Sequence, residues 1–140
     1  MIPPAQWELL RRAALEARDR AYAPYSRFPV GAALLTEEGE VVLGCNVENI
    51  SFGLTVCAER VALWSALAQG LTPQAMVVVA DTEGPVRPCG ACRQVLAEFA
   101  PEMPLLLTNL KGDQELIRVT DLLPLPFQHD LLGREGTEEG

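Results

Sequence analysis

The feature that most restricts the fold is one device used twice: cysteine at the head of an apolar helix. "TVCAERVALWSALAQG" runs from Thr55 to Gly70 and places Cys57, Glu59 and Arg60 together at a helix start. "PVRPCGACRQVLAEF" repeats the arrangement with Cys89 and Cys92. Between the two motifs lies "AMVVVAD", a short apolar run of the kind that forms a strand covered on both faces. Helices alternating with such strands build a layered sheet with right-handed crossovers. In those sheets ligands gather where strand ends meet helix N-termini.

The rest of the chain fits around this unit. Trp7, Leu10, Ala14, Ala17 and Ala21 recur at helical spacing, which predicts a helix over 4–21 with Arg and Glu on its outer side and prolines at its start. Val30–Thr36 and Val41–Val47 are apolar runs around "EEGE" and predict a β-hairpin. Thr55 is the candidate N-cap of a helix over 56–69, and Gly70 its terminator. A third helix spans 89–100 and stops at Pro101. "PLLLTNL" and "ELIRVTDL" predict two more strands joined by the turn "KGDQ". Parallel neighbours are expected across each strand–helix–strand unit, with the hairpin adding an antiparallel pair. Trp7 and Trp64 fall at core spacings. No repeat or linker divides the chain, so 1–132 reads as one domain. "GREGTEEG" (133–140) reads as an acidic tail that frays.

Composition narrows the function. The formal net charge is −8, and the one basic run, "RRAALEARDR", carries Glu16 and Asp19 as well. Polynucleotide binders present a basic face, so nucleic acid is not the expected partner. No apolar run approaches the roughly 20 residues of a membrane span. "MIPPAQWELLRR" lacks the pattern of a signal peptide. The expectation is a soluble cytoplasmic protein whose four cysteines are thiols rather than disulfides.

Thiols at two helix starts suit a metal. A helix N-terminus favours the thiolate. "PCGAC" lets two sulfurs from one turn reach one ion, and Cys57 supplies the third. Zinc with three protein ligands keeps a position for water, which is the catalytic arrangement. Three thiolates on Zn²⁺ leave a net charge of −1 and weaken its pull on a water proton. Arg60 is the natural donor to the sulfurs that restores a positive field, with Arg93 a lesser candidate. Glu59, two residues from Cys57, can face the open position and move protons without being a ligand. Other readings remain open at this point. Cys89 and Cys92 could be a redox pair, although thioredoxin-like context is missing. Cys45 could complete a four-cysteine structural zinc site, leaving Glu59 and Arg60 without a task. Its apolar neighbours instead suggest a buried free thiol. His129 reads as a solvated tail residue.

"CAE" followed by "PCGAC" resembles the zinc deaminase signature in its cysteine-first form. "YSRFPVGAAL", "GCNVEN", "CAERVA", "PCGACRQVLAEF" and "LLPLPF", in that order, resemble the small homotetrameric cytidine deaminases, from the first helix to Phe127. The resemblance implies a three-layer α/β fold with a mixed five-stranded sheet and helices on both faces. It implies one Zn²⁺ per subunit on Cys57, Cys89 and Cys92, with Glu59 as general acid and base. The implied reaction is hydrolysis of cytidine and 2′-deoxycytidine to uridine and 2′-deoxyuridine plus ammonia, by a zinc-activated water attacking C4, in pyrimidine salvage. Asn46 and Glu48 would bind the ribose hydroxyls, and Phe28 would lie against the nucleoside. The backbone of Ala58 and around Cys89 would read the base edge. Phe127 would enter a neighbouring subunit's site in a homotetramer. Asn and Glu suit an uncharged ribose, whereas Glu48 would repel a phosphate; a polar strand end is the plainer reading of "NVEN". Phe52 stands where many members carry tyrosine, so any contact from a tyrosine hydroxyl is absent. Three alternatives stay in view: a deaminase of a related aminopyrimidine nucleoside such as blasticidin S, a free-base or tRNA deaminase, and a non-catalytic structural-zinc module.

Overall fold

A computed structural model describes residues 1–133. The proposed tail at 133–140 therefore lies outside the described residues, apart from Gly133. Helix α1 (Pro4–Arg18) opens the chain with proline in its first turn. It buries Leu10, Ala14 and Ala17, while Glu8 pairs outward with Arg11 at 2.7 Å and Arg20 with Glu16 at 3.0 Å. It ends short of residue 21 because the Arg20 and Ala21 N–H groups turn back onto the Ala17 and Arg18 carbonyls.

Strands β1 (Val30–Thr36) and β2 (Val41–Cys45) form the expected hairpin, with Gly39 at φ 88° in its turn. Helix α2 (Ala58–Ala68) leads to β3 (Pro73–Ala80), and α3 (Gly90–Phe99) leads to β4 (Pro104–Asn109). Strand β5 (Gln114–Arg118) and a one-turn helix α4 (Val119–Leu122) follow. A 3₁₀ turn, His129–Leu132, closes the described chain.

The five strands form one sheet in the order β2-β1-β3-β4-β5. β3 and β4 are parallel neighbours across α3, as expected; the other pairs are antiparallel. The α2 crossover departs from expectation. It carries the chain from β2, at the sheet edge, over β1 to β3. β1 is buried along nearly its whole length and takes the inner position, pairing on both sides. Helix α1 covers one face, with Leu10 and Ala14 against Ala33, Leu35, Val77 and Val79. α2 and α3 cover the other, with Leu63, Ala66 and Leu96 against Leu34, Met76, Val78 and Leu107. The fold is the expected three-layer α/β arrangement. Each of these fully buried leucines contributes roughly 1.5–3 kcal/mol of burial free energy.

Two glycines set how closely the layers approach. A Cβ on Gly31 would strike the Ala14 carbonyl of α1, and one on Gly44 would strike the Ala58 carbonyl and the Ala62 N–H of α2. Gly44 thus fixes the first turn of α2 against β2. Two sequence expectations are corrected beyond this sheet. The last strand stops at Arg118, where the Asp121 carboxylate accepts that residue's N–H and starts α4. Trp64 is 44% exposed on the outer side of α2 rather than core. No helix among the described residues is long and apolar enough to cross a membrane.

Candidate active site

Both cysteine motifs cap helices. α2 begins one residue after Cys57, which occupies the N-cap position in extended conformation. Thr55, the expected cap, instead accepts the Asn49 N–H on its hydroxyl at 3.2 Å. Cys89 is the N-cap of α3, and its Sγ accepts the Cys92 N–H at 3.4 Å, as a serine oxygen would in that role. The two helix starts meet. Cys57 Sγ and Cys89 Sγ lie 3.8 Å apart, and the three sulfurs of Cys57, Cys89 and Cys92 lie within 4.8 Å of one another. Tetrahedral zinc with sulfur at about 2.3 Å requires sulfurs about 3.8 Å apart. Cys92 is buried, Cys57 half-buried and Cys89 exposed, so the cluster opens on the Cys89 side.

The electrostatics favour a cation. Hydrogen bonding with Cys92 and the Arg60 guanidinium, whose Nη2 donates to Cys57 Sγ at 3.3 Å, bring the Cys57 thiol down to about 5. The same sulfur contact and burial push Cys92 up. Three sulfurs this close cannot all ionise without a positive partner, and a divalent ion held between them supplies one. The donor set therefore fits zinc. Arg60 spans the cluster and the Trp64 ring, 5.9 Å from its guanidinium carbon. Arg93 does not assist: it donates to the Pro88 and Leu122 carbonyls at 2.9 and 3.1 Å, bracing the approach to α3. Cys45 stands apart, with its thiol 3.5 Å from the Arg20 carbonyl, half-buried rather than core. Among the described residues the metal-binding group comprises three cysteines, and a four-cysteine site is not formed.

Glu59, in the first turn of α2, is 4% exposed. Burial pushes its carboxyl up to about 7, and the Cys57 thiolate adds to the rise. It lines a cleft of about 250 Å³ together with Cys57, Cys89, Ala58, Phe28, Asn46 and Glu48. A larger hollow of about 410 Å³ between Trp7, Arg11 and Leu116 holds no thiol. The cleft that matters is the smaller one, where the sulfurs and the buried carboxylate converge.

Asn46 and Glu48 reach the cleft because β2 ends at Cys45, earlier than the sequence suggests. Beyond it the chain threads between two others: Val47 exchanges N–H···O bonds with Val56, and Tyr22 with Asn46 and Glu48. Asn46 Oδ1 accepts the Val30 N–H and its Nδ2 donates to the Phe28 carbonyl, both at 2.9 Å. Glu48 accepts the Tyr25 and Ser26 N–H groups at 2.9 and 3.2 Å, and the Ser26 hydroxyl. Phe28, 39% exposed, is thereby held over the cleft. Phe127 is not brought to it: the residue is 64% exposed, and its backbone is tied to the Gln94 side chain on α3.

Sequence reasoning missed three participants. Ser26 lies within "YSRFPVGAAL", where nothing in the local pattern marks it, yet it lines the cleft. Arg87 also lines the cleft, its guanidinium 3.7 Å from Glu115; only its place two residues before Cys89 hinted at this. Buried Asn109 binds the Thr82 and Glu83 carbonyls and Asp113, pinning the loop that leads to Cys89; no local pattern marked it.

Residues 5–106 match the family model described as the cytidine and deoxycytidylate deaminase zinc-binding region. A cytidine deaminase of Sporosarcina psychrophila is 56% identical over 117 residues, 82% of this chain and 86% of its own. The crystal structure of a cytidine deaminase from Burkholderia pseudomallei superposes with a TM-score of 0.84 at 53% identity, covering 86% of this chain and 98% of that one. A blasticidin-S deaminase of Bacillus cereus is more distant, 29% identical over 107 residues, 70% of this chain and 76% of its own. With its paired cysteine caps and buried glutamate in the places that model spans, the chain belongs to the cytidine and deoxycytidylate deaminase family.

Proposed function

We propose that this chain hydrolyses cytidine and 2′-deoxycytidine to uridine and 2′-deoxyuridine, releasing ammonia, and so returns aminopyrimidine nucleosides to the uridine pool. The observation that carries the reading is the convergence of three cysteine sulfurs and a buried carboxylate, Glu59, on one cleft. Cys57, Cys89 and Cys92 would hold Zn²⁺, whose Lewis acidity makes water acidic enough to surrender a proton near neutral pH. Arg60 offsets the thiolate charge from behind Cys57.

Glu59 takes a proton from water as the oxygen adds to C4, and gives it to N3 of the base. It then takes the second proton from the new C4 hydroxyl and passes it to the amino group. The C4–N bond breaks, ammonia leaves and the carbonyl of uridine forms. Burial out of water raises this carboxyl above the usual carboxylate range, which suits a group that takes a proton and then gives it up. At the start of α2 the N–H of Ala58 has no partner within the helix and faces the base edge, as does the backbone at Cys89.

Asn46 and Glu48 bind the ribose hydroxyls with what their internal bonds leave free, and Phe28 packs on the nucleoside. Phe127 acts in a neighbouring subunit's cleft, within a homotetramer. Its exposure away from its own cleft supports this, as do exposed Ile50, Phe52 and Leu54 beside the cleft loop. The proposed setting is the cytoplasm, whose reducing medium keeps metal-binding cysteines from pairing as disulfides. Residues 1–132 act as one catalytic domain.

The test is ultraviolet absorbance of purified protein with cytidine, 2′-deoxycytidine and blasticidin S in competition. Conversion of the first two ahead of the third is expected. Turnover of blasticidin S alone would replace this reading with its nearest rival, which the lower identity to that enzyme disfavours.

A further inference from the structure

We infer that Ser26 is a positioning residue for sugar recognition, acting through Glu48; this rests on the cytidine reading above. The Ser26 hydroxyl donates to Glu48 Oε2, while the Tyr25 and Ser26 N–H groups hold Oε1 at 2.9 and 3.2 Å. One turn of loop therefore grips both oxygens of one carboxylate. The hydroxyl is itself oriented, because its oxygen accepts the Phe28 N–H at 3.0 Å. A serine hydroxyl has a single proton, and here that proton is committed to Oε2.

The local backbone is arranged for this bond. Arg27, between Ser26 and Phe28, is the one non-glycine residue with positive φ among the described residues, at 56°. That conformation is unfavourable for an arginine and persists only where its surroundings hold it. The Ser26-to-Phe28 bond closes the turn across Arg27, and the Arg27 N–H is fixed on the Ala23 carbonyl at 2.9 Å. Ser26 and Glu48 both line the cleft and also the hollow of about 360 Å³ beside it, where Tyr25 and Phe52 meet edge to face. A glutamate free to rotate must be ordered each time a sugar binds. Ser26 orders it beforehand and leaves one acceptor site, on Oε2, for a sugar hydroxyl in the cleft that Glu48 lines. The consequence falls on binding of the hydroxyls, not on the chemistry at C4.

The experiment compares kcat and KM of wild type and Ser26→Ala on cytidine and on 2′,3′-dideoxycytidine, used as substrate or as competitor. The dideoxy compound lacks the hydroxyls that Glu48 would bind. The expected result is a KM for cytidine raised about tenfold with kcat within about twofold, and a change below about twofold for the dideoxy compound. Ser26→Thr, which keeps the hydroxyl, should restore the cytidine KM. Equal losses on both compounds would show general damage to the loop and overturn the inference; so would a Ser26→Ala variant that matches wild type. If the alanine variant does not fold, Ser26→Gly, which also lacks the hydroxyl, carries the same comparison. Wild type without turnover of cytidine overturns the function reading and this inference together, whereas an active wild type with either contrary variant result overturns the inference alone.

Discussion

The cleft has two walls built in different ways. At the metal corner, Cys57 caps α2, and Glu59 and Cys92 sit in the first turns of α2 and α3, backed by Ala62, Leu63 and Leu96 in the core. On the nucleoside side, Phe28, Asn46 and Glu48 sit on chain that is neither helix nor inner strand, tied by side-chain hydrogen bonds. The first wall is fixed by packing, the second by polar straps. Packing suits groups whose position must not vary by tenths of an ångström, such as metal ligands and a proton carrier. Straps suit a wall that has to admit a substrate. The two should therefore fail differently.

The largest expected effect breaks the packed wall at its chemistry. Cys57→Ala removes a ligand and should reduce bound zinc to a small fraction of one per chain and abolish turnover, while Cys45→Ala keeps both; metal analysis of the purified variants checks this. Next comes Gly44→Ala. Its new Cβ meets backbone of α2, which cannot yield as a flexible side chain could. A loss of about 1–3 kcal/mol is expected, measured by denaturant unfolding, with weaker zinc retention because Cys57 and Glu59 move with the helix.

Acid should reach the strapped wall through Glu48. Bonds from Ser26 and Tyr25 hold the Glu48 carboxyl below the usual carboxylate range. A lowered folded value means that the group's contribution is complete above its unfolded value and is lost as pH falls through the folded one. Protection of the Tyr25 and Ser26 amides, measured against unfolded-chain exchange at the same pH, should fall on going below the ordinary carboxylate range, while α2 amides stay protected. Simultaneous loss in both regions would remove the distinction between the walls. The smallest effect is expected from truncation after Leu132, which should leave kcat and KM for cytidine unchanged within about twofold, since the residues proposed to hold zinc, move protons and bind the nucleoside, Phe127 included, all precede that point.

The packed wall was the more legible in sequence. Cysteine, glutamate and arginine at a helix start can be read because ligand spacing is local, and the apolar β3 run can be read because both its faces are covered. What escaped was decided at a distance. Thr55 looked like the cap of α2, but Val47–Val56 pairing draws that stretch into an extended bridge and leaves the cap to Cys57. The α2 crossover passes over β1 because of competition among strands for the inner positions, which no single segment records. Trp64 has core spacing yet faces outward, where Arg60 lies against its ring. The straps from Ser26 and Asn46 join residues 16 to 22 positions apart and leave no periodic trace.

The most direct measurement is zinc content beside cytidine turnover for Glu59→Gln. The prediction is zinc equal to wild type with turnover reduced at least about 10²-fold, since the carboxyl moves protons and does not hold the metal. Loss of zinc would make Glu59 a ligand, and retained turnover would place the proton transfers elsewhere; either result contradicts the assignment.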